Sequence, residues 1–496
     1  MVSEKISLED LNPNFFAYGS FPIYLLKIFS QTAGIIDPTF SSYISMNLVG
    51  RILSVFFDLG TVFILFLLGA KIFNKKVGLL ASFFYSISVL PIQLAHFYAV
   101  DTPLTFFILL TLYLLIKSQQ NFSFKNVFLV GLALGLALST KISAVLLVVP
   151  ILVVFILKIV LDKKFYIIHF ALLVLSAFTI FAITMPFALI DFKNFWQQTL
   201  AQQEMTKSAF TFPYTLQYVG KISYLYELKN IFFWGLGPIL ATLAFVGTLF
   251  TTYKSFTKPL DSRILILVTF FWLYFLVTGK FAIGFMRYML PLYPLLCLFA
   301  AFFIFQLINI FKRFKISRIT FLTSQFSILI LLLIWPLSFL SIYSQPNSRV
   351  TATDWILQNI PAGSSLALEH WDDGLPLSGQ SNYQILTLPL YDPDTSVKWQ
   401  DISQTLQKTD YIIIASNRLY TPLQKLTDCQ NLPPGRCYKQ TADYYQKLFQ
   451  GSLGFERVAQ FSVLPTIPIL NIPIDDFDAD ESFTVNDHPK VMIFKK

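Results

Sequence analysis

Long hydrophobic runs separated by short polar stretches occupy the chain from Tyr43 to Tyr343. About ten of these runs approach the roughly 20 apolar residues that an α-helix needs to cross the core of a bilayer. In chain order they are Tyr43–Ala70, Val77–Phe97, Thr102–Ile116, Val127–Ser139, Ile142–Leu161, Tyr166–Ile190, Ile231–Tyr253, Ile264–Thr278, Tyr288–Phe311 and Phe321–Tyr343. The pattern predicts a polytopic α-helical membrane protein whose membrane domain covers residues 43–343.

The pattern changes after residue 343, where the hydropathy falls. "TATDWILQNIP" and "YYQKLF" have helical spacing, whereas "SSLALEH", "DYIIIAS" and "KVMIF" are short apolar runs typical of strands. Residues 344–496 are therefore predicted to form a soluble α/β domain.

The composition agrees with a membrane location. Of 496 residues, 55% are hydrophobic, 17% are aromatic and 13% are charged, with a mean hydropathy of +0.61. These values lie outside the range of ordinary soluble domains and indicate an integral membrane protein in contact with the lipid bilayer. The net charge of +9 is explained by basic loop residues, so it requires no nucleic acid partner, and no nucleic-acid motif is present.

The basic residues also predict the orientation in the cell membrane, because cytoplasmic loops retain Lys and Arg. Alternate loops carry most of them, namely Lys71, Lys75, Lys76, Lys117, Lys125, Lys163, Lys164, Lys254, Lys258, Arg263, Lys312, Arg313, Lys315 and Arg318. The other loops, and the domain 344–496 with them, are predicted to be extracytoplasmic.

Two further external segments are predicted, residues 1–42, with an interfacial helix, and residues 191–230, rich in Phe, Tyr, Gln and Trp. Segments of this length are usually functional, and aromatic amphipathic pieces lie on membrane surfaces. Residues 1–42 contain neither a signal peptide nor a span that would carry them across the bilayer. Either a helix precedes them in the natural protein or they cross unaided, and we favour a missing upstream helix.

Two polar residues, His96 and Asp101, lie in "LAHFYAVDTPLTFF" between hydrophobic runs. Asp101 opens a helix with Pro103 in its first turn, where an aspartate side chain caps the helix and complements its dipole. A histidine at this depth is typical of the membrane interface. The alternative for both residues is a catalytic site, since carboxylates and imidazoles are common general bases.

Arg51 and Asp58 lie inside a predicted span, seven residues apart and so on one helix face. A charge within the membrane is costly and indicates either a functional site or a paired structural one. An ion pair between the two residues is the structural alternative, although it requires bent side chains.

Three cations, Lys141, Lys280 and Arg287, lie in predicted external turns, against the retention tendency. Arg binds phosphate through two hydrogen bonds, Lys acts as a point charge, and the adjacent Tyr288 adds a hydroxyl donor. Together they predict a phosphate site at the membrane surface. The alternative for each cation alone is that it extends towards the lipid headgroups.

The C-terminal domain contains three further polar features. Cys429 and Cys437 enclose a Pro/Gly loop in a compartment that permits a disulfide, but spacing alone does not establish the bond. "LEHWDD" could bind a metal or an acceptor, or simply end a strand. "DDFDADESFTVNDH" resembles a calcium loop but lacks the required glycine, and no metal site is predicted.

The order of several stretches resembles the lipid-phosphosugar-dependent membrane glycosyltransferases of the GT-C fold. Within them the chain is most similar to the protein O-mannosyltransferase and aminoarabinose transferase group, glycosyltransferase family 39. The stretches are "NPNFFAYGSFPIYLL", "GRILS", "HFYAVDTPLTFF", "GLALGLALSTK" and "RYMLPLYP", within Leu11–Phe311, and the closing "ESFTVNDHPKVMIF" is similar to the tails of prokaryotic relatives.

This resemblance implies an inverting transfer of one sugar from a polyprenyl-phosphate donor to an acceptor hydroxyl on the extracytoplasmic face. It places Asp101 at the acidic position opening a helix beside the active site and Lys141 at the end of the glycine-rich helix. It places Arg287 and Tyr288 near the donor phosphate. The acceptor, and a requirement for a divalent metal, stay open.

The resemblance also implies a catalytic base in the first external loop, commonly an Asp-Glu pair. Nothing before Asn12 matches that pair, and Glu9-Asp10 is inverted and poorly placed. Together with the missing helix, this suggests that the sequence begins after that carboxylate. We expect Asp101 to orient the acceptor or support that base, with His96 beside it.

Two other functions stay open on the sequence alone. A flippase or transporter of lipid-linked sugars should carry charges through the full bilayer and show repeat symmetry. A non-catalytic glycan-binding membrane protein would need no acidic pair. The concentration of cations on one predicted face favours the transferase.

Overall fold

The computed structural model of the protein describes residues 11–258, 261–311 and 318–496. The predicted pair Glu9-Asp10 and the loop cations Lys312, Arg313 and Lys315 lie outside them. Contacts between Cα atoms divide the chain into two compact units. The membrane unit is Met1–Gln203, Ser223–Phe281 and Met286–Leu333, and the sheet unit is Glu204–Ile222, Ala282–Phe285 and Ile334–Lys496.

Each predicted hydrophobic run lies on one or two helices. The helices up to Leu340 are α1 (Ser20–Ile36), α2 (Tyr43–Ile72), α3 (Lys75–Ser86), α4 (Val89–Ala95), α5 (Asp101–Gln120), α6 (Phe124–Thr140), α7 (Val148–Asp162), α8 (Ile167–Thr184), α9 (Phe187–Ile190), α10 (Phe192–Lys207), α11 (Leu225–Asn230), α12 (Pro238–Ser255), α13 (Ser262–Gly279), α14 (Tyr293–Phe311) and α15 (Arg318–Leu340). Short 3₁₀ turns precede some of them, including Ile142–Leu147 and Met286–Leu292.

Seven helical segments of the described residues are long and apolar enough to cross a membrane. They are Ser45–Ile72, Asp101–Gln120, Ile142–Asp162, Ile167–Thr184, Ser262–Gly279, Met286–Ile310 and Phe326–Asn359. Helices α3 and α4 meet at a bend of 60° and would make an eighth span if counted together, and α6 is a shorter apolar helix. The prediction of a polytopic α-helical membrane protein is confirmed.

Helix α2 shows why so much apolar surface is tolerated. One face packs on protein, with Leu65 and Leu68 fully buried, whereas Phe56, Leu59 and Phe63 on another face are 67%, 59% and 59% exposed. An apolar stripe of this size is unfavourable in water, but it suits contact with lipid tails.

Helix α6 is held against α8 by small residues. A Cβ added at Gly131 would lie 1.9 Å from Ser176 Oγ, and one at Gly135 would lie 2.6 Å from Ala177 O. Glycines four residues apart let two membrane helices approach closely, so this contact positions the end of α6, immediately before Lys141.

The sheet unit contains an α/β fold, as the sequence predicts. Its strands are β1 (Ser365–Glu369), β2 (Gln384–Leu388), β3 (Tyr411–Ile414), β4 (Glu456–Phe461), β5 (Thr466–Ile467), β6 (Ile472–Pro473) and β7 (Val491–Lys495). Its further helices are α16 (Ser348–Asn359), α17 (Ser396–Lys408), α18 (Tyr420–Leu423), α19 (Lys439–Phe449) and α20 (Glu481–Thr484).

Five strands form one sheet in the order β2-β1-β3-β7-β4, and β5 pairs with β6. Strand β1 is parallel to β2 and β3, and β7 is antiparallel to β3 and β4. Ala367 and Ile412 face a core with α17 and α19, and Leu366 and Ile413 face one with α16. Burial on both faces explains the continuous apolar sequences of β1 and β3.

The three cysteines differ in their bonding state. Cys429 and Cys437 form a disulfide, which the sequence left open, and Cys297 is buried on α14.

Candidate functional site

Asp101 lies at the first position of α5 but does not cap it. The N-cap residue is Val100, and no side chain caps this helix. Instead, the Asp101 carboxylate accepts a hydrogen bond from Lys141 Nζ at 2.8 Å and lies 3.7 Å from Arg287 Nε. Its side chain is only 1% exposed, so the capping interpretation is replaced by a buried ion pair.

Three distant segments bring these charges together. Asp101 begins α5, Lys141 follows the last residue of α6, and Arg287 lies in the 3₁₀ turn that leads into α14. All three belong to the membrane unit.

Two tyrosines complete the group. Lys141 Nζ lies 4.3 Å from the ring centroid of Tyr288 and 6.0 Å from that of Tyr18. Arg287 Nη2 donates to the Tyr18 hydroxyl at 3.3 Å, and the Tyr274 hydroxyl donates to the carbonyl of Tyr288 at 3.1 Å. We call Tyr18, Asp101, Lys141, Arg287 and Tyr288 the cation cluster.

The cation cluster suits an anion. It holds two cations against one carboxylate, and the carboxylate is the least accessible of the three. Lys141 and Arg287 side chains are 16% and 32% exposed, so an arriving phosphate meets positive charge. Partial burial strengthens that attraction relative to water, and Arg adds directional hydrogen bonds.

Tyr18 reaches the cluster because the next residue, Gly19, is bonded to the end of α6. Gly19 N donates to the carbonyl of Thr140 at 3.0 Å, next to Lys141. An added Cβ at Gly19 would lie 1.8 Å from the carbonyl oxygen of Ser139, so a side chain cannot enter without moving backbone.

We therefore expect Gly19→Ala to lower the stability of the full chain in detergent by about 1–3 kcal/mol, the usual cost of overpacking. The midpoint of thermal unfolding measures it. Gly374→Ala is the matched control, because a Cβ there would meet its nearest neighbour at 3.4 Å. Equal midpoints for the two variants would show that the backbone around Gly19 accommodates a methyl group without loss of stability.

The structure leaves other predicted residues outside this cluster. His96 ends α4, where its Nδ1 lies 2.8 Å from the carbonyl of Ile92. Lys280 is exposed at the end of α13, and none of the hydrogen bonds or ion pairs described for the cluster involves it. The predicted shared anion site therefore contains Lys141, Arg287 and Tyr288 without Lys280.

The two charges within the membrane do not pair with each other. The Tyr85 hydroxyl on α3 donates to Asp58 Oδ1 at 2.7 Å, and Arg51 is exposed on α2. Asp58 thus obtains its partner from a neighbouring helix, and no ion pair between Arg51 and Asp58 occurs among the described residues.

Sequence reasoning missed Tyr18 as a site residue. It lies in "NPNFFAYGSFPIYLL", which carried the family resemblance, but an aromatic residue in an aromatic-rich segment has no distinguishing pattern. The adjacent glycine was the available signal, because a glycine at close backbone approach often positions its neighbour.

The acidic residues of "LEHWDD" are bound within the sheet unit. Tyr445 Oη donates to Glu369 Oε1 at 2.6 Å, and Ser416 Oγ donates to Asp372 Oδ2 at 2.6 Å. Burial raises the pKa of Glu369 from 4.5 to about 8, against the lowering effect of the Tyr445 hydrogen bond. Burial also raises the pKa of Asp372, which the Arg349 charge opposes.

The calcium-like stretch is likewise occupied by protein contacts. Asp476 Oδ2 lies 2.7 Å from His488 Nε2, both fully buried, and Asp480 caps α20 through the amide of Ser482. Within the part of the chain that the structure describes, no group of three His, Cys, Asp or Glu side chains is placed to hold a metal ion.

Residues 41–187 match the family model described as dolichyl-phosphate-mannose-protein mannosyltransferase. The matched region is less than half of the chain. It contains Asp101 and Lys141 and ends before Arg287. No curated protein matches the chain.

Three solved structures are similar to the chain. The Archaeoglobus fulgidus oligosaccharyltransferase tethered to an acceptor peptide containing the NVT sequon is 13% identical, with a TM-score of 0.50, over 82% of this chain and 62% of that one. The oligosaccharyltransferase AglB of the same organism, in complex with an inhibitory peptide and a dolichol-phosphate, is 12% identical, with a TM-score of 0.50, over 97% and 80%. ArnT from Cupriavidus metallidurans bound to undecaprenyl phosphate is 11% identical, with a TM-score of 0.47, over 84% and 85%.

At sequence identities of 11–13%, structural similarity shows a shared fold and no more. The two oligosaccharyltransferase structures confirm the GT-C fold that the sequence motifs predict. The chain spans 62% of the length of the first of them.

Proposed function

Because the chain has the GT-C fold, we propose that it is an inverting glycosyltransferase. It moves a single sugar from a polyprenyl-phosphate donor to an acceptor hydroxyl on the extracytoplasmic face of the membrane. The domain 344–496 lies on that same face, where its disulfide between Cys429 and Cys437 is stable. A mannosyl donor is favoured by the description of the matching family model.

The observation that carries the proposal is the cation cluster. Lys141 and Arg287, from two separate segments, both contact Asp101, and both keep part of their side chains exposed. Fixed cations of this kind stabilise a phosphate that gains negative charge as it leaves.

The reaction needs little acid catalysis, because polyprenyl phosphate is already a good leaving group. The acceptor oxygen forms a bond to the anomeric carbon while the bond from that carbon to the phosphate oxygen breaks. The electron pair passes to the phosphate, where Lys141 and Arg287 offset the charge, and the acceptor proton passes to a base. Attack from the face opposite the phosphate inverts the anomeric centre.

In this scheme Asp101 is a positioning residue. Its two carboxylate oxygens lie against Lys141 Nζ and Arg287 Nε, so it holds both cations beside one carboxylate. The earlier hypothesis that Asp101 orients the acceptor or supports a base, with His96 beside it, stays a prediction.

The test uses right-side-out membrane vesicles that contain the full chain, supplied with labelled polyprenyl-phosphate mannose. We expect the wild type to release polyprenyl phosphate and Lys141→Gln to release it about 10²–10³-fold more slowly, the usual cost of losing one preorganised charge-stabilising group. Lys193→Gln is the control, because Lys193 is exposed on α10.

The outcomes separate the candidate functions. No release from any sugar-bearing donor would contradict the transferase. Binding of the donor without release would favour a glycan-binding protein, and movement of the intact donor across the bilayer would favour a flippase.

A further inference from the structure

Four aromatic rings form a row on the sheet unit. The rings of Phe212 and Tyr214 stack at 5.5 Å between centroids, Tyr214 lies 6.5 Å from Trp371, and Trp371 lies 5.5 Å from His370. We call these four residues the aromatic row. Trp371 is 44% exposed and His370 is exposed, so one end of the row is open to solvent.

Trp371 holds its exposed position at the cost of backbone strain. Its φ is 79°, in the left-handed region that a bulky side chain rarely adopts. Arg418 Nη1 donates to the carbonyl of Trp371 at 3.2 Å, and the amide of the preceding His370 donates to the carbonyl of Leu388 at 3.0 Å. Strain of this kind persists where the surrounding structure enforces it, and it is concentrated at binding sites. The fold therefore keeps a large apolar ring in solvent instead of burying it.

The exposed end of the row lies where open α/β sheets bind ligands. The chain passes from β1 to β2 on one side and then returns to β3 on the other, so the strand order reverses at β1. The three strands are parallel, and parallel sheets bind ligands outside the carboxyl ends of the strands at such a reversal. His370 and Trp371 directly follow β1, and Arg418 lies shortly after the end of β3.

Polar groups beside the row keep hydrogen-bonding capacity. Arg418 Nε donates to Glu481 Oε1 at 2.8 Å, and Gln217 Nε2 donates to Glu481 Oε2 at 2.6 Å. Within the described ranges, no hydrogen bond involves Arg418 Nη2, Gln217 Oε1 or the ring nitrogens of His370. Donors and acceptors next to an exposed ring suit a ligand that has both C–H surface and hydroxyl groups.

The charges beside the row are paired with each other. Arg349 lies 3.3 Å from Asp372 Oδ1 and 3.0 Å from Asp373 Oδ2, and Arg418 pairs with Glu481. An anionic ligand therefore finds no cation among these residues that lacks a carboxylate partner. This arrangement favours an uncharged ligand, in contrast to the cation cluster.

We propose that the aromatic row binds a neutral hexose glycan, with one pyranose ring stacked on Trp371 and its hydroxyls bonded to the polar groups beside it. A pyranose presents C–H groups on one face and hydroxyls around its edge, which matches a ring bordered by donors and acceptors. A peptide cannot extend the sheet at this point, because β1 is paired on both sides. In the proposed transferase this glycan is the acceptor, a step that rests on the proposed function.

The experiment measures binding of two neutral trisaccharides, mannotriose and maltotriose, to the full chain in nanodiscs, which avoid detergents that carry sugars. We expect Trp371→Gly to weaken the tighter of the two about tenfold, because the stacked ring is lost. Glycine adopts a φ of 79° without strain, so the midpoint of thermal unfolding should not fall. A tryptophan that served only packing would lower the midpoint and leave sugar binding to the folded chain unchanged, which would overturn the proposal.

Ile469→Gly is the matched control. Ile469 is another apolar residue of the sheet unit with a positive φ, 70°, and it is 96% exposed between β5 and β6. The substitution relieves the same kind of strain without removing a ring of the aromatic row, so trisaccharide binding should stay at the wild-type level.

His370→Phe tests the polar contacts separately. It keeps an aromatic ring against Trp371 but removes both ring nitrogens, so we expect binding to fall about threefold, the loss of one hydrogen bond. The midpoint of thermal unfolding should be unchanged, because the imidazole is exposed and donates no hydrogen bond to the described residues.

Turnover tests the acceptor role. The tighter trisaccharide should receive labelled mannose from polyprenyl-phosphate mannose, with its KM raised about tenfold in Trp371→Gly and kcat nearly unchanged. A chain that binds the trisaccharide through Trp371 but releases no polyprenyl phosphate would support the glycan site and contradict the transferase. Release to a peptide but never to the trisaccharide would overturn the acceptor role.

Three results would overturn the glycan site itself. The first is a wild type that binds neither trisaccharide, and the second is equal affinity in the wild type and Trp371→Gly. The third is quenching, by brominated lipids in the nanodisc, of the emission that Trp371→Gly loses, since the row would then contact the membrane. None of the three depends on release of polyprenyl phosphate, so the glycan site and the proposed function fail separately.

Discussion

Asp101→Asn is expected to lower kcat/KM for the polyprenyl-phosphate donor by at least about 10²-fold, or about 2.7 kcal/mol in the barrier. The substitution keeps the size of the side chain but removes the charge that holds Lys141 Nζ at 2.8 Å and Arg287 Nε at 3.7 Å. The two cations then repel each other without compensation. A displacement of about 1 Å in such groups is enough for a loss of this size. Release of labelled polyprenyl phosphate is the measurement.

Binding of sugar-free polyprenyl phosphate distinguishes a positioning role from a structural one. Both cations survive in Asp101→Asn, so we expect the phosphate to bind as well as in the wild type while turnover falls. A residue needed only for folding would lower binding and turnover together. Asp37→Asn is a matched control, since Asp37 only caps the 3₁₀ turn Pro38–Ser41. If Asp101→Asn turned over at the wild-type rate, the proposed role of Asp101 in positioning the two cations would be wrong.

Much of the membrane unit could be predicted from the sequence, because hydrophobicity determines where helices cross a bilayer. The positions of Asp101, Lys141 and Arg287 at helix ends followed from the same pattern. Their contacts did not, since Asp101 and Lys141 are 40 positions apart and only the packing of α5, α6 and the turn before α14 brings them together. Lys280, seven positions before Arg287, makes none of the contacts of the cation cluster.

The strands of the sheet unit could also be predicted only in part. The buried strands β1, β3 and β7 have apolar sequences and were recognised, but β2 and β4 were not. Those two strands lie at the edges of the sheet, and most of their residues are exposed or half-buried. Edge strands carry polar side chains on their solvated faces, so their hydropathy resembles that of loops.

Buried acidic groups were the least predictable feature, because burial is a property of the whole fold. The sequence "LEHWDD" is typical of a polar segment at the end of a strand, where side chains are exposed. Glu369 is nevertheless only 5% exposed. Its Oε2 accepts no hydrogen bond from the described residues. A carboxyl group in this environment favours its neutral form, which links the stability of the sheet unit to pH.

Glu369→Gln is expected to stabilise the sheet unit at pH 8 and to leave it nearly unchanged at pH 4.5. The folded pKa is about 8 and the ordinary value is 4.5. Below pH 4.5 both the folded and the unfolded chain hold the proton. Between pH 4.5 and pH 8 the unfolded chain releases it while the folded chain retains it, so wild-type stability falls by up to about 1.4 kcal/mol per pH unit. The neutral glutamine removes this dependence and still accepts the hydrogen bond from Tyr445.

Hydrogen exchange of the β1 amides, measured in the full chain and corrected for intrinsic rates, reports the free energy of opening at each pH. The midpoint of thermal unfolding should rise in parallel, by roughly 2–4 °C for each kcal/mol gained. Glu456→Gln is the matched control, because Glu456 is exposed on β4 of the same sheet and should show the wild-type pH dependence. If Glu369→Gln and the wild type kept a constant difference from pH 4.5 to pH 8, Glu369 would have to ionise equally in the folded and unfolded chains.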